Sequence, residues 1–348
     1  MTTGSWIAVD AMGGDEGLAV MLAGVAEARR RYEGTHFLLV GDETAIATGL
    51  KKHPNLTANS EIVHAPDVIK GDEKPSQALR RAKTTSMGVA IDLVKQGRAA
   101  AAVSSGNTGA LMAMAKVSLR TMPGIDRPAL AGLMPSLGEH DTVVLDLGAN
   151  TECDANNLVQ FAVMGAAYAR TMLDLESPRV ALLNIGTEDM KGTEEIRDAA
   201  QALRAAEHLP MTFAGFIEGD KLSRGDVDVI VCDGFSGNIA LKTAEGTARF
   251  VADLLREAFS SSMRSKIGFL ISRPATEVLR HHLDPNNHNG AVFLGLNGLV
   301  VKSHGGANET GVATAIAVAA KSVRDDLARR IADDLQHFAR AEPEGAAA

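Results

Sequence analysis

Cysteine is nearly absent from this chain: of 348 residues only Cys153 and Cys232 carry a thiol, and no CxxC pairing joins them. That argues against a disulfide framework or a cysteine-based structural zinc site and fits a reducing compartment. Aromatic residues make up only 4%, and the net charge is −8 with no long basic run. Nucleic-acid binding normally needs cationic patches and often stacking platforms, so no nucleic-acid partner is expected. No basic-then-apolar leader precedes Trp6–Asp10, and no uncharged apolar run reaches the roughly 18–20 residues of a spanning helix. A cytoplasmic protein is expected, at most lying on a membrane surface.

Several motifs are missing as well. Without GxxxxGK[ST], nucleoside-triphosphate hydrolysis has no support, and Met12–Gly17 does not match GxGxxG. Neither HExxH nor a Cys/His cluster occurs, and His281, His282 and His288 read as a solvated helix end. No metal and no cofactor are expected.

Glycine, by contrast, is plentiful, at 34 residues. Short apolar runs end in Gly/Asn/Asp/Ser/Thr corners, and a helical pattern follows each. The runs are 6–17, 35–43, 99–110, 142–153, 179–189, 228–238 and 298–311; the helical stretches include 17–32, 76–96, 157–173, 194–208, 239–259 and 311–321. Continuous apolar strands alternating with helices predict a mainly parallel sheet covered on both faces, a three-layer α/β/α doubly wound fold. Residues 1–340 read as a single catalytic unit with a disordered tail at 341–348. The Pro-bearing segment 118–141 reads as an irregular crossing or an antiparallel excursion. Residues 249–285 form a long helical excursion; within it, 256–282 hold five Lys/Arg against two Glu.

Ligands of such sheets sit beyond the carboxyl ends of the strands, where helix N-termini favour anions. Three corners suit that place: Ser104–Gly109, Gly234–Asn238 and Gly305–Gly311. From them, Ser105, Gly106, Asn107, Thr108, Gly237, Gly306 and Asn308 are candidate phosphate-binding residues. Each corner is also what an N-capped helix start requires. Gly234–Asn238 nearly matches the hydrolase elbow GxSxG, but Asn238 stands where the last glycine belongs, and no histidine partner for Ser236 is evident. Lys191, in a glycine-bracketed loop, is either a cation aimed at the ligand or an ordinary exposed lysine.

Eight segments together carry a resemblance: VDAMGGDEG, VSSGNTGALMA, RPALAGLMP, LDLGANTECDANNLVQFAVMGAAYAR, LLNIGTEDMKGTEE, GFIEGDKL, VDVIVCDGFSGNIALK and NGLVVKSHGGANETGVATAI. They resemble the bacterial phosphate acyltransferase family PlsX over roughly residues 6–320. The resemblance implies a Rossmann-like fold related to phosphotransacetylases and isopropylmalate dehydrogenases. It implies transfer of a long-chain fatty acyl group from acyl-acyl carrier protein to inorganic phosphate, for phospholipid synthesis. It further implies a cytoplasmic homodimer, peripherally associated with the membrane, whose acyl phosphate passes to a membrane glycerol-3-phosphate acyltransferase. Lys191 and Asn238 match the lysine and asparagine implicated in catalysis.

The chemistry agrees with that reading. Phosphate dianion can attack a thioester without a protein nucleophile, and a thiol with a pKa of about 8.5 departs without a strong acid. What remains for the protein is positioning and charge stabilisation. In the excursion, Lys266, Ile267, Phe269, Leu270, Ile271 and Arg273 set apolar side chains between cations. That pattern suits a membrane surface, an acidic carrier protein, a second subunit, or a helix buried in its own core. Competing assignments are a phosphate acetyl/butyryltransferase acting on coenzyme A thioesters, an isopropylmalate-type dehydrogenase, and a non-catalytic acyl-carrier-binding partner.

Overall fold

A computed structural model describes residues 5–32, 34–206 and 208–341. Its strands are β1 (Trp6–Asp10), β2 (His36–Gly41), β3 (Ser60–His64), β4 (Ala101–Ser104), β5 (Ala129–Met134) and β6 (Thr142–Leu145), then β7 (Arg179–Leu183), β8 (Thr212–Ile217), β9 (Val229–Val231), β10 (Ala291–Leu294) and β11 (Leu299–Lys302). They form one 11-stranded sheet in the order β3-β2-β1-β4-β11-β10-β5-β6-β9-β7-β8.

The expected parallel grammar holds in each flank. The ladders β2–β3, β1–β2, β1–β4 and β4–β11 are parallel, as are β6–β9, β9–β7 and β7–β8. The centre departs from it. β11–β10, β10–β5 and β5–β6 are antiparallel, so the two parallel halves run in opposite directions. The antiparallel alternative for 118–141 is therefore the one realised, with β5 at its heart.

Alternation along each strand feeds two cores. Ile7 and Val9 pack on one face of the sheet, while Ala8 packs on the other. The first face is covered by helices Gly17–Arg31, Ala155–Met172 and Glu309–Arg324, the second by Ser86–Lys95 and Thr108–Leu119. A single helix across 76–96 does not form. Thr85 takes extended backbone and caps a new helix through Gly88 N–H, splitting the stretch into Pro75–Arg80 and Ser86–Lys95. Ala341 closes the last helix, Leu327–Ala341, and the rest of the expected tail lies outside the described residues.

The excursion is a helical hairpin, Gly234–Ser260 followed by Met263–Leu283, with Ser262 capping the second helix. Phe259 and Phe269 meet across the turn at 5.2 Å between ring centroids. None of the described side chains in Met263–Leu283 is buried. The reading of this segment as part of the chain's own core is overturned: the apolar residues face outward or into a cavity.

Candidate active site

Each half of the sheet ends in a buried aspartate that organises its loops. At the end of β1, the Asp10 carboxylate accepts hydrogen bonds from Ser104 Oγ at 2.7 Å and Gly13 N–H at 3.1 Å. At the end of β6, Asp146 accepts from Leu130, Gly148, Ala149 and Asn150 N–H groups and from Asn150 Nδ2, at 2.7–3.2 Å. Burial raises the pKa of both, and the converging donors pull the other way. These carboxylates fix the corners that the ligand would meet.

The first half brings two of the predicted corners together. β4 and β11 are parallel neighbours with Ser104 opposite Lys302, so Ser105 and Gly305 come together around Gly14. Asn107 and Asn308 have structural work there. Their side chains cap helices through Ala110 N–H at 2.9 Å and Gly311 N–H at 3.0 Å. Asn107 Nδ2 is spent on the Gly71 and Glu73 carbonyls. Ser105 is buried, Gly106 N–H donates to Ser104 Oγ, Gly306 N–H donates to His304 Nδ1, and Thr108 reaches the cavity.

The second half reshapes the Gly234–Asn238 corner, which is the first turn of a helix rather than a loop. Asp233 caps it, accepting Ser236 N–H and Ser236 Oγ, each at 2.8 Å. With its N–H and its hydroxyl both donated to that carboxylate, Ser236 completes the cap. Gly237 serves packing: a β-carbon there would come 2.0 Å from the Asp146 carbonyl oxygen. Asn238, one position on, is exposed and lines the cavity.

That cavity has a volume of about 1560 Å³, larger than the roughly 300–1,000 Å³ of ordinary ligand clefts. It runs from the carboxyl edges of both half-sheets along the helical hairpin. Thr108, Lys302 and His304 line it from the strand ends, while Asn238, Leu241, Lys242, Leu255, Phe259, Phe269 and Leu283 line it from the hairpin. Lys266 also lines it; Ile267, Leu270 and Ile271 project outward, and Arg273 reaches Glu277 at 3.6 Å.

Lys191 is exposed on the loop after β7 and is not among the cavity-lining residues. Its carbonyl accepts from Asn184 Nδ2 at 3.2 Å. Since β7 pairs with β9, this loop leaves the sheet one strand from the helix that carries Asn238.

Sequence reasoning passed over Lys302. Burial is the main cause that lowers its pKa to about 8; Lys242 adds to the effect, while Asp15 and Asp10 oppose it. Burial lowers the His304 pKa first; Glu245 opposes it, and the cationic neighbours Lys242, Lys302 and Arg249 add to the lowering. The available signal was a lysine closing an apolar strand run immediately before a glycine corner. Among the described residues, no group of three or more His, Cys, Asp or Glu side chains could hold a metal ion, and no helix is long and apolar enough to cross a membrane.

Residues 6–330 match the family model described as "Fatty acid synthesis protein". The phosphate acyltransferase of Erythrobacter litoralis is 69% identical over 329 residues, covering 94% of this chain and 93% of that protein. The chain belongs to the phosphate acyltransferase family. The phosphate acyltransferase of Parvibaculum lavamentivorans is 53% identical over 339 residues, 97% of this chain and 93% of its own length. A phosphotransacetylase from Streptococcus pyogenes shares the fold, with a TM-score of 0.59 at 19% identity over 93% of this chain and 95% of the other. The expected phosphotransacetylase-like α/β/α architecture is thus borne out.

Proposed function

We propose that this acyltransferase moves a long-chain fatty acyl group from acyl-acyl carrier protein to inorganic phosphate, supplying acyl phosphate for phospholipid synthesis. The supporting observation is the cavity of about 1560 Å³, in which Leu241, Leu255, Phe259, Phe269 and Leu283 form an apolar arm among the charged residues of the hairpin, with Asn238 and Lys302 on the same wall. A thioester can lay its chain along the apolar arm with its carbonyl near Asn238. A phosphate oxygen attacks the carbonyl carbon, an O–C bond forms and the C–S bond breaks. The proton of HPO₄²⁻ ends on the departing thiol, so acyl phosphate and free thiol are the products. The Asn238 side-chain NH₂ donates to the developing oxyanion, and Lys191 neutralises phosphate from the adjoining loop.

The hairpin serves the surroundings of the reaction. Leu270 and Ile271 are 69% and 77% exposed beside Lys266 and Arg273, a pattern suited to an anionic bilayer surface. Exposed Phe250, Val251 and Leu254 on the preceding helix suit a second copy of the chain, giving a homodimer. A membrane glycerol-3-phosphate acyltransferase would receive the product. Incubation with acyl-acyl carrier protein, with and without phosphate, tests the reading through acyl phosphate and free thiol. Thiol release that ignores phosphate contradicts it.

A further inference from the structure

Lys302 closes β11 as a mostly buried cation with no carboxylate among its hydrogen-bond partners. Its ammonium donates to the Ser105 carbonyl at 3.4 Å and to the Ser303 carbonyl, its hydrogen-bond partners among the described residues. The side chain also opens into the cavity. A largely desolvated ammonium whose direct hydrogen bonds go only to carbonyl oxygens is incompletely compensated, and a bound anion would complete it.

Its neighbours on the cavity wall fit an anion too. His304 is two residues further along the chain, and its Nδ1 accepts Gly306 N–H at 3.2 Å. The neutral ring therefore carries its proton on Nε2 and can donate it. Lys242, one helical turn beyond Asn238, lines the same wall but is already paired with Glu245 at 2.9 Å. Lys302 differs from Lys242 in that its hydrogen bonds go to carbonyls, with Asp10 and Asp15 near but forming no salt bridge to it among the described residues.

We propose that Lys302 is the inner phosphate-binding residue, contacting the attacking inorganic phosphate beside Asn238, with the His304 Nε2–H as a second donor. The inference rests on the phosphate-transfer reading and adds a cation distinct from Lys191. The charged groups facing Lys302 are Asp10 and Asp15, from β1 and the loop after it, Lys242 from the Gly234–Ser260 helix, and His304 from its own strand end. With the ammonium titrating near 8, phosphate affinity falls as pH rises through that value.

The test is steady-state kinetics with phosphate varied, for wild type, Lys302→Met and Lys302→Arg. Two donors are used: acyl-acyl carrier protein, and an acyl pantetheine thioester lacking the carrier arm's phosphate. Lys302→Met should raise the KM for phosphate about 10- to 100-fold with either donor, with kcat changed far less. Lys302→Arg should recover most of that affinity and abolish the alkaline rise in KM, because guanidinium stays charged. A folded Lys302→Met with wild-type phosphate KM overturns the proposal, as does a change confined to the KM of acyl-acyl carrier protein. If Lys302→Met fails to fold, the pH profile of Lys302→Arg decides: an alkaline rise equal to that of wild type overturns it. Wild-type turnover independent of phosphate would refute the transfer reading itself, whereas phosphate-dependent turnover untouched by Lys302→Met refutes only the role of Lys302.

Discussion

Gly148 lies directly against Asn238: a β-carbon at position 148 would stand 3.4 Å from Asn238 Cβ and 3.5 Å from its Cγ. Gly148 holds a φ of +120°, and its N–H is tied to the buried Asp146. One buried carboxylate thus sets the loop on which the proposed oxyanion donor rests. Replacing Asn238 by Ala should lower turnover by about 10²–10³. The side chain is exposed, so thermal stability should shift by less than about 0.5 kcal/mol. Gly148→Ala should lower turnover as well, and also destabilise by about 1–3 kcal/mol through the disfavoured backbone. Parallel kinetics and calorimetry separate the two variants; a fully active Asn238→Ala removes the oxyanion role.

Lys191 is tested by its dependence on phosphate. If it neutralises the nucleophile, Lys191→Ala should weaken saturation by phosphate while leaving the fold intact, since the side chain is exposed. Loss of one charge-assisted contact corresponds to about 10- to 100-fold in apparent affinity. A wild-type phosphate curve would return Lys191 to the class of ordinary surface lysines.

Arg179 and Asp228 couple β7 to β9 at the ends opposite these loops. Asp228 accepts the Arg179 N–H at 2.7 Å and its guanidinium at 2.9 and 3.2 Å. Burial pushes the Asp228 pKa up, but the Arg179 hydrogen bonds outweigh it and hold the carboxyl below its ordinary value. The folded protein therefore binds fewer protons here than the unfolded chain does. The stabilisation is complete above the unfolded value of about 3.9 and is lost as pH falls through the lower folded value. Asp228→Ala should lower stability near neutral pH by about 1.5–3 kcal/mol and flatten this part of the acid dependence. Urea denaturation across that range checks both.

The outward face of the hairpin gives a physical prediction for the membrane. Ile271→Glu and Leu270→Glu each remove an apolar side chain whose burial contributes about 1.5–3 kcal/mol. Flotation with anionic liposomes should fall by at least about tenfold for either variant. Turnover on a water-soluble donor should persist, because neither residue lines the cavity. Unchanged flotation would assign this face to protein contacts, and sedimentation would then identify them.

The seven apolar runs legible in the sequence all became strands. The four that were not are β3, β5, β8 and β10. β3 and β8 are the edges of the sheet and are only partly buried, so they lack the continuous apolar signature of a central parallel strand. β5 and β10 form the antiparallel centre, and β5, reading ALAGLM, is built from residues of modest strand preference. Asn238 stood out from local spacing alone, and the fold puts it on the cavity wall. Asn107, Asn308 and Gly237 also stood out, but local pattern does not separate a cap or a packing glycine from a ligand contact. Lys302 was hidden for the opposite reason: its desolvation and carbonyl contacts are tertiary properties, created by the apposition of β4 and β11.

The most direct test of the whole account is one time course with purified protein and acyl-acyl carrier protein. Phosphate is varied from none to saturating, and acyl phosphate and free thiol are measured together. The account predicts that thiol appears only with phosphate and in equal amount to acyl phosphate. Thiol release at an unchanged rate without phosphate, or with no acyl phosphate formed, would contradict it.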